Sequence, residues 1–203
     1  MNIQNYTFIT AANMGDVCPV FRRCFLVHKQ IQQAALEITA LGVYVVELNG
    51  TRVGDFVLAP GWTSYEHRLQ VQTYDVTELL TEENELHVTV GKGWFRSPIP
   101  GWEDSEDKRR RVSQPCGLIA ALTLCYKDGS SETIGTDASW DVGESSVRFS
   151  EIYDGERCDA TFETQASYII PLFLNGTDSV ENLEVCDMEV HWEIMRVARG
   201  ISD

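Results

Sequence analysis

The feature that most restricts the fold of this chain is a period of two in its apolar residues. In ALEITALGVYVVELNG, residues 35–50, alternate side chains share one side of an extended chain, and the β-branched run 43–48 ends at Asn49-Gly50. An Asn-Gly pair between apolar segments favours a type I′ hairpin turn, because both of its central positions need a positive φ. The stretch therefore predicts short antiparallel strands joined by tight turns.

The same alternation recurs along most of the chain, at 21–28, 69–76, 86–90, 118–126, 131–134 and 147–152. A second hairpin turn is expected at Asp128-Gly129, and residues 77–80 predict a short helical turn. Connections this short leave no room for the helical crossovers of a parallel sheet. We predict an all-β antiparallel β-sandwich with few short helices over residues 1–163. Residues 164–203 form a strand-like extension whose packing the sequence leaves open.

Charge and cysteine usage exclude several classes of function. The chain has 203 residues and a net charge of −15, from 31 acidic and 16 basic residues. Nucleic-acid binding draws its affinity from clustered Lys and Arg, so no nucleic-acid partner is expected. The six cysteines are scattered without a CxxC pair, which favours reduced thiols over a disulfide framework or zinc site. The absence of a signal-like start or an apolar run of roughly 20 residues predicts a cytoplasmic protein without a membrane partner.

Aromatic residues concentrate at strand ends and in two long loops, 60–68 and 96–116. Exposed aromatic rings next to polar groups suit the flat C–H faces and hydroxyls of sugars. The alternative is that these large rings plug the ends of the sandwich. The rings are Trp62, Tyr65, Trp94, Phe95 and Trp102, and the polar candidates near them are Asn49, Asp55, Glu66 and Arg96.

Residues 150–159, SEIYDGERCD, contain four carboxylates. Such oxygen-rich spacing could hold calcium, although it lacks the EF-hand pattern. Two of the carboxylates could also form the acid/base pair of a glycosidase. A third interpretation is a tight turn at Tyr153-Asp154-Gly155, in which Gly155 supplies a positive φ.

Six motifs, in order, resemble the N-terminal β-sandwich domain of bacterial α-L-rhamnosidases. They cover about residues 34–163 and are ALEITALGVYVVELNGTRVGD, VLAPGWTSY, RLQVQTYDVTELL, VGKGWFRSPIPGW, LIAALTLCYKDGSSETIGTDASW and FSEIYDGERCDATFE. The resemblance implies a jelly roll of the galactose-binding type. It also implies an enzyme that removes terminal α-L-rhamnose with inversion, whose acid and base lie in a separate (α/α)6 barrel. No catalytic carboxylate can therefore be assigned in this chain.

In that family the end loops of the domain face partner domains and can contribute to sugar recognition, and some related modules bind rhamnose with calcium. The resemblance thus implies a rhamnose-containing glycoside or a missing catalytic domain as partner. The carbohydrate-binding candidates are Trp62, Tyr65, Trp94, Arg96, Trp102, Tyr153 and Asp154.

Three functional hypotheses follow. The first is a non-catalytic accessory module of an α-L-rhamnosidase-like protein, in carbohydrate binding or domain packing. The second is a small self-contained glycosidase that uses carboxylates of 151–159. The third is a structural interaction module, which would expose an apolar patch and could form a homodimer.

Overall fold

The computed structural model describes residues 3–12, 14–65, 67–97, 114–162, 166–167, 169–172 and 182–186. In this part of the chain there is one short helix, α1 (Gly93–Arg96), and there are two 3-10 turns, Ile3–Asn5 and Thr77–Leu79. The strands are β1 (Phe8–Ala11), β2 (Pro19–Leu26), β3 (Ile31–Leu41), β4 (Val43–Leu48), β5 (Thr51–Arg52), β6 (Arg68–Asp75), β7 (Glu83–Gly91), β8 (Gly117–Tyr126), β9 (Ser131–Gly135), β10 (Asp141–Glu144), β11 (Val147–Glu151), β12 (Gly155–Cys158), β13 (Ala166–Ser167), β14 (Ile169–Leu172) and β15 (Asn182–Cys186).

Two sheets form the body of the protein. The seven-stranded sheet has the order β14-β1-β8-β3-β6-β15, with β9 also paired to β8, and the six-stranded sheet has the order β13-β10-β2-β7-β4-β5. Strands β11 and β12 form a separate two-stranded ribbon. Between the strands of the described ranges, all pairings are antiparallel except that of β15 with β6. The antiparallel sandwich predicted from the period of two is therefore confirmed.

Some strands differ from the sequence-based expectation. The four residues of β1 are all buried and do not alternate, and β10 contains a glycine, so neither carries a clear period of two. Strands beyond residue 163 pair with both sheets, since β14 joins β1, β13 joins β10 and β15 joins β6. The division of the chain at residue 163 stays a prediction. No helix within the described ranges has the length and apolarity needed to cross a bilayer.

The main core lies between the two sheets. Alternate residues of β3 and β8 point inward and meet Phe21 of β2 and Val88 of β7, all fully buried. A second buried cluster contains Leu69 and Val71 of β6 and Ile119 of β8, residues that alternate with inward-facing ones. Because successive side chains of a strand point to opposite faces, this second cluster lies on the outer face of the seven-stranded sheet.

The β4–β5 hairpin has the predicted turn, with φ values of 53° at Asn49 and 74° at Gly50. The Asn49 amide Nδ2 donates to the Leu79 carbonyl oxygen and to Asn84 Oδ1, both at 2.9 Å. Its Oδ1 accepts from the Glu85 backbone N–H at 2.8 Å. All these partners belong to the chain itself, so Asn49 ties the hairpin to β7 and is not available to a sugar.

We expect Asn49→Gly to lower the free energy of unfolding by about 2 kcal/mol. Glycine keeps the positive φ without strain, so the loss isolates three hydrogen bonds that are each worth about 1 kcal/mol or slightly less. Urea denaturation checks this value. A change below about 0.5 kcal/mol would show that the Asn49 side chain does not anchor the hairpin.

Candidate functional site

The short helix α1 organises one corner of the sandwich. It begins at Gly93, two residues after the end of β7, where φ is +51°. A Cβ atom at this position would lie 2.6 Å from Val43 Cγ1 and 2.9 Å from the Val43 backbone nitrogen. Only glycine therefore lets the chain turn so close to β4. The turn places Lys92, Trp94 and Arg96 together at this corner.

Trp62 and Trp94 form a stacked pair. Their ring centroids are 6.0 Å apart and their planes differ by 6°. Trp94 is half-buried against the second cluster, whereas Trp62 is 43% exposed. Trp62 lies in the loop 60–68 and Trp94 in α1, and the structure brings the two rings together. The outer ring, Trp62, is held at a defined angle and remains accessible.

Tyr65, in contrast, is buried in the second cluster, so the structure does not place this carbohydrate-binding candidate where a sugar could contact it. It is 3% exposed and meets Phe95 edge to face at a centroid distance of 5.3 Å. Its hydroxyl donates to the Gly61 carbonyl oxygen at 3.4 Å. The turn in which His67 N–H donates to the Ser64 carbonyl oxygen brings Tyr65 back onto the outer face of the seven-stranded sheet. Tyr65 thus supports α1 through its contact with Phe95 in the second cluster.

An apolar ridge precedes the stacked pair. Val57 is 71% exposed and Leu58 is 44% exposed, the latter with a φ of +59°. With Trp62 they form what we call the 57–62 ridge. A bulky leucine is uncommon at positive φ, so the backbone at Leu58 is strained. Val57 and Leu58 also leave apolar surface in contact with water, which is unfavourable unless another surface covers it.

The remaining predicted residues are more dispersed. Tyr153 is 55% exposed and Asp154 is exposed, both at the turn between β11 and β12, where Gly155 has the expected positive φ of 81°. Asp55 is exposed on the loop before the ridge. Glu66 and Trp102 lie outside the described residues.

A buried ion triad lies at the same corner and was not indicated by the sequence. The Lys92 ammonium donates to Asp16 Oδ1 and to Glu151 Oε1, each at 2.7 Å. The Lys92 and Glu151 side chains are 11% and 6% exposed, while Asp16 is 66% exposed. Burial alone would lower the pKa of Lys92, but the hydrogen bonds to the two carboxylates raise it above its usual value. The hydrogen bond and charge of Lys92 lower the pKa of Asp16.

The carboxylates of 150–159 do not act as one group. Glu151 points inward to Lys92, whereas Asp154 and Glu156 are exposed. Asp159 Oδ1 accepts from the Thr161 backbone N–H at 3.0 Å and from the Thr161 hydroxyl. Within the described ranges no set of three or more His, Cys, Asp or Glu residues could hold a metal ion.

A cleft of about 230 Å³ opens between the triad and the ends of β1 and β2. Its lining includes the polar residues Lys92, Arg96 and Asp16 and the two cysteines Cys18 and Cys116. Burial raises the pKa of Cys18 to about 12 and also raises the pKa of Cys116, against the lowering effect of Arg96. Both thiols stay protonated at neutral pH and are poor nucleophiles.

The fold and this corner define a two-sheet β-sandwich module with an exposed, stacked tryptophan at one end. The family model described as "Alpha-L-rhamnosidase N-terminal domain" matches residues 29–176. The chain belongs to this family.

Named relatives agree with this assignment. An α-L-rhamnosidase of Alteromonas sp. (strain LOR) is 37% identical over 147 residues, 71% of this chain and 15% of the relative. The crystal structure of native α-L-rhamnosidase from Aspergillus terreus superposes with a TM-score of 0.72 at 32% identity, covering 84% of this chain and 22% of that one. The Streptomyces avermitilis α-L-rhamnosidase complexed with L-rhamnose gives a TM-score of 0.65 at 32% identity, covering 74% and 16%. The chain thus spans about a seventh of the length of the curated relatives that it matches.

Proposed function

We propose that this chain is the accessory N-terminal module of an α-L-rhamnosidase-like glycoside hydrolase and contacts a rhamnose-containing glycoside through its Trp62–Trp94 corner. The module has no hydrolytic activity by itself. The proposal is supported by relatives that are α-L-rhamnosidases and by the small fraction of their length that the chain covers.

The accessible Trp62 ring is the observation that carries the proposal. Stacking on Trp94 fixes the plane of the ring, and Tyr65 and Phe95 support the corner from the core. A rigid aromatic face loses little conformational entropy when a ligand packs on it. The C–H face of a 6-deoxy sugar such as rhamnose presents the apolar surface that such a ring can cover.

The arrangement of carboxylates argues against the alternative of a self-contained glycosidase. Inverting hydrolysis needs one carboxylic acid and one carboxylate on opposite sides of the scissile bond. Of the carboxylates of 151–159, Glu151 is paired with Lys92 and Asp159 with Thr161. None of the four lines the cleft, where Asp16 is the only carboxylate among the described residues and is itself paired with Lys92. Release of p-nitrophenol from an α-L-rhamnoside by the purified chain would contradict the proposal.

We expect Trp62→Ala to weaken binding of L-rhamnose or methyl α-L-rhamnoside by about thirtyfold, because tryptophan anchors are typically worth about 2 kcal/mol at a binding surface. Titration calorimetry measures the affinity. The free energy of unfolding should fall by about 1 kcal/mol, the value of one aromatic pair.

Leu26→Ala is the matched control. Leu26 is 55% exposed and lies at the end of β2 opposite to Pro19, a residue of the cleft. We expect this variant to bind like the wild type. Equal affinities of Trp62→Ala and the wild type would exclude Trp62 from the sugar-contacting surface.

The 57–62 ridge favours a second function, that of a docking surface for the rest of the glycosidase or for a second copy of the chain. Accessible aliphatic side chains on a loop with positive φ suit a surface that is covered in a larger assembly. Sedimentation equilibrium of the wild type and of Val57→Ser/Leu58→Ser tests the homodimer. A monomer at all concentrations would exclude the second copy as the occupant.

A further inference from the structure

We infer that the cleft beside α1 is a second ligand site and takes a single neutral pyranose ring, with Lys92 and Asp16 hydrogen-bonding the ring hydroxyls. The inference rests on the proposed function, because that function supplies the class of ligand, but the site is separate from the Trp62 ring.

The volume of the cleft limits the size of the ligand that it can enclose. The cleft measures about 230 Å³. Sites for drug-sized molecules measure about 300–1,000 Å³. A cleft below this range encloses one sugar ring, and any further ring of a glycoside would lie outside it.

Charge balance decides between a neutral ligand and an anion. Lys92 and Arg96 contribute two positive charges, and Asp16 and Glu151, which hold Lys92, contribute two negative charges. A phosphate or a uronate needs a surplus of positive charge, and this wall has none. The pairing that neutralises Lys92 therefore favours an uncharged, hydroxyl-rich molecule.

The hydrogen-bonding capacity of the triad matches a hydroxyl group. An ammonium has three N–H donors, and two of those on Lys92 go to Asp16 and Glu151. The Lys92 ammonium also lies over the Phe149 ring, 5.0 Å from its centroid, but no third oxygen or nitrogen acceptor for it is found among the described residues. The Asp16 carboxylate is two-thirds exposed and keeps acceptor capacity. A hydroxyl both donates and accepts, so it can satisfy Lys92 and Asp16 together.

Part of the cleft lining is apolar. Met14, Val17 and Pro19, on the same β1–β2 segment as Asp16, contribute it, together with Val90 near the end of β7. A pyranose has the same two-sided character, with hydroxyls at its edge and C–H bonds on its faces. A cleft lined by both polar and apolar side chains therefore suits a single sugar ring.

The test separates the cleft from the tryptophan pair by nuclear magnetic resonance. The methyl groups of Met14, Val17 and Val90 report on the cleft, and the indole N–H groups of Trp62 and Trp94 report on the pair. The full chain is titrated with methyl α-L-rhamnoside, with glucuronate and with inorganic phosphate. We expect the cleft methyls to shift in a saturable way with the rhamnoside alone.

Asp16→Ala should weaken the rhamnoside affinity measured at the cleft methyls by about tenfold, because a hydrogen bond to a charged group is lost. Lys92 keeps Glu151 in this variant, so the fold is retained. Asp141→Ala is the control, since Asp141 is 67% exposed and pairs with Arg22 outside the cleft. Equal effects of the two substitutions would overturn the inference.

The other outcomes distinguish this inference from the proposed function. Shifts of the indoles alone would overturn the cleft as a sugar site and leave the proposed function intact. Shifts of the cleft methyls alone would retain the cleft and exclude the Trp62 surface. If neither set of signals shifts, both the sugar contact at Trp62 and the cleft site are excluded. Cleft shifts with phosphate or glucuronate alone would show that the cleft does not take a neutral ligand.

Discussion

Replacing Lys92 with methionine is expected to lower the free energy of unfolding by about 3 kcal/mol at neutral pH. The substitution keeps the length of the side chain but removes the charge between Asp16 and Glu151. Breaking a buried ion pair from one side typically costs about 3–5 kcal/mol, because the other charge stays buried without a partner. We expect the lower end of this range because the Asp16 side chain is mostly exposed, so water can solvate its charge when Lys92 is removed. Urea denaturation followed by circular dichroism gives the value.

Two further variants make this prediction specific. Lys29→Met removes the lysine of a surface pair, since Lys29 and Asp128 are 52% and 53% exposed, and it should cost less than about 1 kcal/mol. Lys92→Met/Glu151→Gln removes the unpaired buried charge and should recover part of the stability lost in Lys92→Met. A Lys92→Met cost no larger than that of Lys29→Met would show that the triad does not stabilise the fold.

The triad also makes the free energy of unfolding depend on pH. Lys92 lowers the pKa of Asp16 below its ordinary value of 3.8. A carboxyl whose pKa is lower in the folded state stabilises the fold fully above the unfolded pKa, and this contribution is lost as the pH falls through the folded pKa. We therefore expect the difference in stability between the wild type and Lys92→Met to narrow below pH 3.8.

Gly93→Ala is expected to lower the free energy of unfolding by about 3 kcal/mol and to displace α1. The positive φ alone costs an alanine about 1–2 kcal/mol. The new Cβ would also lie 2.6 Å from Val43 Cγ1 and 2.9 Å from the Val43 nitrogen, and relief of such contacts costs about 1–3 kcal/mol. Because α1 carries Trp94 and Arg96, the near-ultraviolet circular dichroism of the tryptophans should change as well.

Gly50→Ala is the matched control for backbone strain. Gly50 has a φ of +74°, but nothing lies within 4 Å of a Cβ built there. We expect a loss of about 1 kcal/mol and an unchanged tryptophan signal. The difference between the two variants measures the close approach of α1 to β4, and equal losses would mean that Gly93 is needed for its φ only.

Both predictions concern the same corner, which connects the triad, the cleft and the stacked tryptophans. Lys92 ties the β1–β2 loop and the end of β11 to the segment that leads into α1. Gly93 then sets the direction of the helix that presents Trp94 and Arg96. Disturbing either residue should weaken sugar binding together with stability, whereas Trp62→Ala should mainly weaken binding.

The strands and their turns could be predicted from the sequence because their signals are local. The period of two in β3, β6 and β7 assigns inward and outward side chains within a few residues. The pairs Asn49-Gly50 and Asp128-Gly129 each contain a glycine that can adopt the positive φ of a tight turn. Gly50 and Gly129 do have positive φ. The family resemblance and the sandwich class followed from the same local motifs.

The composition of the site was decided by the tertiary structure. Tyr65 and Trp62 are three residues apart in one loop, yet one is buried against Phe95 and the other is accessible. Lys92 finds partners 76 and 59 residues away in the chain. Burial and pairing of this kind depend on how distant segments pack, and no local pattern in a sequence records them.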